Sequence, residues 1–127
     1  MPEITGRCLC GDVRFTVAGG MKASNHCHCE SCRRATSSPF TTWFTVARSN
    51  LSWTGLPPQA FASSPGVTRF FCALCGSPMA YEIVDRPDET DLYAASLDDH
   101  SGFEPQRHTN WGERVTWVAL ADHLPRE

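Results

Sequence analysis

Ten residues, NHCHCESCRR from Asn25 to Arg34, concentrate the chemistry of this chain. Cys27, Cys29 and Cys32 form a C-x-C-x-x-C run with His26 and His28 interleaved, and Arg33 and Arg34 follow directly. Spacings this short let the backbone curl and aim several sulfurs at one point, which suits a soft-ligand metal such as zinc. Three protein thiolates leave one tetrahedral position open, the arrangement of a reactive rather than a purely structural ion. His26 or His28 as a fourth ligand is the alternative, and it would close the site.

The other four cysteines are also clustered. Cys8 and Cys10 form a C-x-C pair followed by Gly11, and Cys72 and Cys75 form a C-x-x-C knuckle followed by Gly76. A glycine at that position permits the positive φ that wraps backbone around a bound sulfur. All seven cysteines sit in such clusters, and an odd number cannot pair completely within one chain. The spacing therefore partitions them into a closed four-thiolate site (Cys8, Cys10, Cys72, Cys75) and an open triple (Cys27, Cys29, Cys32).

The elements that must position these groups read as strands. Val13, Phe15 and Val17 alternate with polar residues, Phe40–Val46 and Val67–Cys72 are rich in strand formers, and Pro78–Val84 alternates again. In that last run Met79, Tyr81 and Ile83 share one face, which predicts a core position for Tyr81. Further short strands are expected at Leu51–Thr54, Leu92–Leu97 and Val115–Leu120. Ser63-Ser64-Pro65-Gly66 and Asp98–Gly102 read as turns and Asp85–Asp91 as a polar loop. A short helix fits Cys29–Thr36. Trp43, Trp53, Trp111 and Trp117 are expected to be core aromatics, with one of them flanking the pocket as the alternative. The fold class is mainly β, and the 127 residues suit a single domain spanning 1–127.

A net charge of −3 provides no basic field for nucleic acid or an anionic membrane. No apolar run approaches the roughly 20 residues of a membrane span. The opening MPEITGRCLCG lacks the pattern of a secretory signal, so a cytoplasmic location is expected. Nothing in the pattern specifies an oligomeric state.

GRCLCGDVRF, CHCESCRRAT, SSPGVTRFFCALCGSPMAY, the acidic Leu97–Asp99 and PQRH ending at His108 together resemble the glutathione-dependent formaldehyde-activating enzymes, a domain shared with centromere protein V. The resemblance runs nearly end to end. It implies a mainly-β, Mss4-like fold pinned by zinc at Cys8, Cys10, Cys72 and Cys75, with a second, catalytic zinc at Cys27, Cys29 and Cys32. It also implies a carbon–sulfur lyase chemistry in which a zinc-held glutathione thiolate adds to formaldehyde, giving S-hydroxymethylglutathione. Arg33, Arg34 and the Ser63–Gly66 backbone, including Ser64 and Gly66, are candidates for holding the tripeptide's carboxylates, and His108 for lining the pocket. The chain departs from the family pattern at Ser37-Ser38, where glycine is common, and in the His108-Thr109-Asn110 stretch. Two other classes remain open from the residues alone: a metalloprotein or thiol sensor without catalysis, and a macromolecule-binding module. The charge argues against nucleic acid for the latter.

Overall fold

Ten strands and one α-helix form among residues 3–127, the part of the chain that the computed structural model describes. In chain order they are β1 (Ile4–Arg7), β2 (Arg14–Val17), β3 (Ala23–Cys27), α1 (Glu30–Thr36), β4 (Thr41–Ala47) and β5 (Leu51–Trp53). Then follow β6 (Gln59–Ser64), β7 (Val67–Phe71), β8 (Pro78–Ile83), β9 (Glu89–Tyr93) and β10 (His108–Thr109). A three-stranded sheet runs β1-β2-β5, and a seven-stranded sheet runs β10-β3-β4-β9-β8-β7-β6. Among the described strands only β10 and β3 pair in parallel, and His108 of β10 also bridges Arg126 in parallel. No helix among the described residues is long and apolar enough to cross a membrane.

Successive side chains on a strand point to opposite faces, so the register of the large sheet sorts its residues into two surfaces. Phe44 pairs with Leu92, Leu92 with Ala80, and Ala80 with Phe70. This row faces the small sheet and packs with Val13, Phe15 and Val17. Phe15, Phe44 and Leu92 are fully buried, each contributing on the order of 1.5–3 kcal/mol of apolar transfer. Asn25 pairs with Trp43, Trp43 with Tyr93, and Asp91 with Tyr81, which in turn pairs with Arg69. That second set lies on the opposite face, away from the core.

Several expectations need correction. β6 runs through Ser63 and Ser64, which had read as turn residues, and leaves only Pro65-Gly66 between the strands. Nearly all of β6 is exposed, so no burial pattern marks it. β9 starts at Glu89, inside the expected polar loop, and stops at Tyr93, where Ala94–Ser96 turn as a 3-10 helix. Val115–Leu120 is not a strand: it is a turn and loop that leave Trp117 72% exposed, so Trp117 is no core aromatic. The sheet edge beside β3 is taken instead by β10. In β8 the register shifts between Phe70 and Phe71, whose partners are Ala80 and Pro78, so Met79 is the extra residue of a bulge. Met79 and Ala80 are both buried, and the simple alternation that placed Tyr81 with Met79 fails.

Candidate metal centre and cleft

Two groups of thiols converge among the described residues. Cys8, Cys10, Cys72 and Cys75 form one and Cys27, Cys29 and Cys32 the other, with all sulfurs in each group within 4.8 Å of one another. A tetrahedral ion with bonds of about 2.3 Å to sulfur holds its ligands about 3.8 Å apart. Cys8 and Cys10 Sγ lie 3.5 Å apart and Cys10 and Cys72 Sγ 3.8 Å apart, so the donor set fits such an ion. Gly11 and Gly76, each just after the second cysteine of its pair, adopt φ of +86° and +78°. Backbone N–H groups aim at the sulfurs: Val13 donates to Cys8 Sγ at 3.4 Å and Cys75 to Cys72 Sγ at 3.5 Å. The hydrogen bond from the Ser77 hydroxyl draws the Cys75 thiol down to about 5. At Cys10 the Asp12 backbone contact favours the thiolate, but burial and the neighbouring thiols outweigh it and push the group up to about 12. Cys8 and Cys75 thus lean toward the thiolate while Cys10 holds its proton, and a bound cation would favour the deprotonated set.

The triple is assembled by a strand end and a helix start. Cys27 closes β3, Cys29 caps α1, and Cys32 lies in the first turn with its N–H donated to Cys29 Sγ at 3.2 Å. Hydrogen bonds from Cys29 and Cys32 pull the Cys27 thiol far below its ordinary range, with Asn110 adding to them. The same contacts with Cys27 push Cys29 and Cys32 upward. Asn110 Nδ2 donates to Cys27 Sγ at 3.4 Å, and Arg69 Nη2 donates to Cys32 Sγ at 3.9 Å. Burial works against the Arg69 charge, yet the hydrogen bond and negative charge of Cys32 raise its pKa overall.

These sulfurs line a cleft of about 310 Å³ on the outer face of the large sheet. Its floor and walls include Trp43, Tyr81, Arg69, Asn110 and Ser64. Trp43 stacks on Tyr93 with centroids 3.9 Å apart, and Arg69 sits over the Tyr81 ring at 5.0 Å. Tyr81 therefore belongs to the cleft rather than the core. Arg86 also reaches the cleft, but its charge is engaged by Asp91 at 2.7 Å and Glu89 at 3.1 Å.

The remaining site candidates lie elsewhere. Arg34 pairs with Glu30 along the helix at 2.9 Å, and Arg33 Nε donates to the His28 carbonyl; neither lines the cysteine cleft. Gly66 lies in a separate depression beside Val84. His108 is fully buried, with Nδ1 2.8 Å from His28 Nε2 and Nε2 2.9 Å from the Asp122 carboxylate. His26 Nδ1 contacts Thr42 Oγ1 at 2.7 Å, so neither His26 nor His28 joins the thiol triple. Burial, then the neighbouring His108, lowers the pKa of both. Asp98 accepts from Thr5, and Asp99 accepts from the Ser101 N–H and hydroxyl, as residues that shape a turn do. Arg69 and Asn110 escaped the sequence reading. A lone arginine on the Val67–Phe71 face of a strand was the available signal for the first. For the second it was asparagine, which tolerates positive φ and here adopts +55°.

Comparison with known proteins adds three findings. The family model described as glutathione-dependent formaldehyde-activating enzyme matches residues 3–113. An uncharacterized lyase of Schizosaccharomyces pombe is 32% identical over 81 residues, covering 64% of this chain and 58% of that protein's length. The crystal structure of a Rhodobacter sphaeroides protein superposes with a TM-score of 0.63 at 24% identity, covering 80% of this chain and 91% of the other; it shares the fold.

Proposed function

The chain belongs to the glutathione-dependent formaldehyde-activating enzyme family, and on that premise we propose that it catalyses the reversible addition of a thiol such as glutathione to a small aldehyde, as a carbon–sulfur lyase does. The observation that carries this reading is the thiol triple of Cys27, Cys29 and Cys32 opening onto the cleft that also holds Arg69. In the addition the thiol loses its proton and its sulfur bonds the carbonyl carbon. The carbonyl π pair moves to oxygen, which takes a proton to give the hydroxyalkyl thioether. The reverse reaction cleaves the same bond.

In this reading Cys8, Cys10, Cys72 and Cys75 hold a structural zinc, and Cys27, Cys29 and Cys32 hold a second. Bound at the triple, such an ion lets an incoming thiol persist as a thiolate at neutral pH. The chain's own residues supply the rest. Asn110 and Arg69 fix two of the three sulfurs, and Arg69 offsets their charge. Arg69, whose guanidinium lines the cleft beside Cys32, is the cation placed to stabilise the oxygen on which negative charge develops. Trp43 and Tyr81 wall the cleft, and the cation–π contact with Tyr81 steadies the guanidinium. Ser64, which lines the same cleft, offers its hydroxyl to the substrate.

The test is exchange spectroscopy with 13C-formaldehyde and glutathione on zinc-loaded protein. Acceleration over the spontaneous reaction is expected, with loss in Cys32→Ser while the fold persists. Wild-type protein that leaves the spontaneous rate unchanged sinks the proposal and favours a sensor or storage role.

A further inference from the structure

A second, larger chamber opens on the far side of Arg69. Its volume is about 610 Å³, against about 310 Å³ for the cysteine cleft. Ser31, Ser64 and Arg69 line both, so the two spaces adjoin across one guanidinium. Much of the remaining wall is apolar, with Phe61, Phe71, Tyr93 and Ala35; Arg34 lines it too, its charge engaged by Glu30 at 2.9 Å. Phe61 lies directly across from Arg69 in the β6–β7 register and is 59% exposed, a large apolar ring that the chain itself leaves uncovered. The Arg69 guanidinium gives this wall a hydrogen-bond donor beside the thiols. The ligand that matches both features is an apolar body carrying a carbonyl oxygen at one end.

We infer that this chamber receives the body of the aldehyde, and that the chain is built for an aryl or alkyl aldehyde larger than formaldehyde. The inference rests on the thiol-addition reading and names its second substrate class. The aldehyde oxygen accepts from the Arg69 guanidinium, and the apolar group lies between Phe61 and Phe71. The carbonyl carbon faces the cysteine side, where guanidinium Nη2 stands 3.9 Å from Cys32 Sγ. The reaction balances as before: the S–H bond breaks, the C–S bond forms, and the proton ends on the former carbonyl oxygen. No oxidant or reductant is needed. Enclosing sites typically measure about 300–1,000 Å³, so the cleft and the chamber each suit one reactant. A one-carbon aldehyde would leave the chamber unfilled. Glutathione, charged at both ends, gains little from phenylalanine walls, which assigns it to the cleft.

Ala35 is exposed on α1 and lines the chamber but not the cleft, so Ala35→Trp fills the chamber without disturbing the sheet. With saturating glutathione, wild-type protein is expected to prefer phenylacetaldehyde to formaldehyde in kcat/KM. Ala35→Trp is expected to lower that ratio by about tenfold or more, the scale on which an apolar pocket discriminates. Phe61→Asp, at an exposed edge position, should shift the ratio the same way. Phenylacetamide, which has the carbonyl and the ring but does not add thiols, provides the binding readout by ligand-observed NMR. It should bind wild-type protein in the presence of glutathione and bind Ala35→Trp about tenfold more weakly. An unchanged ratio in both variants, or displacement of phenylacetamide by glutathione, overturns the inference. Turnover of neither aldehyde by the wild type, with phenylacetamide still held in the chamber, overturns the thiol-addition reading and supports the ligand class on its own.

Discussion

Replacing Arg69 by methionine tests whether the cysteine cleft is held together by its one uncommitted cation. Methionine keeps most of the apolar stem over Tyr81 and removes the charge. Two unit charges about 4 Å apart interact by about 4 kcal/mol at an effective dielectric near 20, which bounds the effect from above. Three features reduce it: Arg69 is only half-buried, its 3.9 Å contact with Cys32 Sγ is long, and burial of the guanidinium opposes the gain. The reduced figure falls in the range found for groups that hydrogen-bond a metal ligand, about 10- to 100-fold in affinity, or about 1.4–2.8 kcal/mol. Competition titration of zinc-loaded protein with a chromophoric chelator should resolve two equivalents. The tighter one, at the four-cysteine site, should be unmoved in Arg69→Met, and the weaker should lose that factor. Arg34→Met is the control: its side chain is 78% exposed and engaged by Glu30, so neither equivalent should shift. An Arg69→Met protein that binds the second zinc as tightly as wild type, or loosens both sites alike, refutes the reasoning.

Ser37 ends α1 at φ +53°, a left-handed conformation that costs a β-carbon-bearing residue roughly 1–2 kcal/mol. Ser37→Gly should raise stability by about 0.5–1 kcal/mol after the greater freedom of the unfolded glycine is counted, and a thermal melt that falls would contradict this. Cys72→Ser should abolish cooperative melting, because zinc in a structural site contributes on the order of 10–16 kcal/mol, whereas Cys32→Ser should melt near wild type with one zinc per chain instead of two. Equal loss of folding in both would move the triple into the structural class. The His108 hydrogen bond holds the Asp122 carboxyl below its ordinary 3.8. A depressed folded pKa means that the stabilisation is complete above the unfolded value and is lost as pH falls through the lower folded one. Hydrogen exchange of the segment near Asp122 should therefore rise at acid pH in wild type and be raised already at neutral pH in Asp122→Asn; an acid step that survives the substitution counts against the linkage.

The two cysteine clusters were legible because their grouping is local. Two cysteines separated by one or two residues can share an ion whatever surrounds them, and the glycine that follows each closed pair reports the turn they need. Strands were legible where one face is buried, as in Val13, Phe15 and Val17. They were not legible where burial leaves no alternation, as in the exposed edge β6, or where an outside partner holds a two-residue strand, as β3 and the Arg126 bridge hold β10. Nearness in sequence pointed to Arg33 and Arg34 as the cations of the site, but a helix beginning at Glu30 turns Arg34 toward Glu30 and leaves Arg33 on the His28 carbonyl.

The cation that does meet the thiols stands 37 positions from Cys32 and is brought there by register alone. Arg69 faces the cleft because it pairs with Tyr81, and Tyr81 with Asp91, across three strands. A slip of β7 by one residue would turn Arg69 to the core face and bring Phe70 out toward the cysteines. The bulge at Met79 guards against that slip. It lets Met79 and Ala80 both bury on the core side while the Arg69–Tyr81 pair keeps its place, so an alternative pairing would expose one of two fully buried side chains. The irregularity that defeated the alternation rule in β8 thus belongs to the positioning of the cleft, and spacing along the chain carries no trace of it.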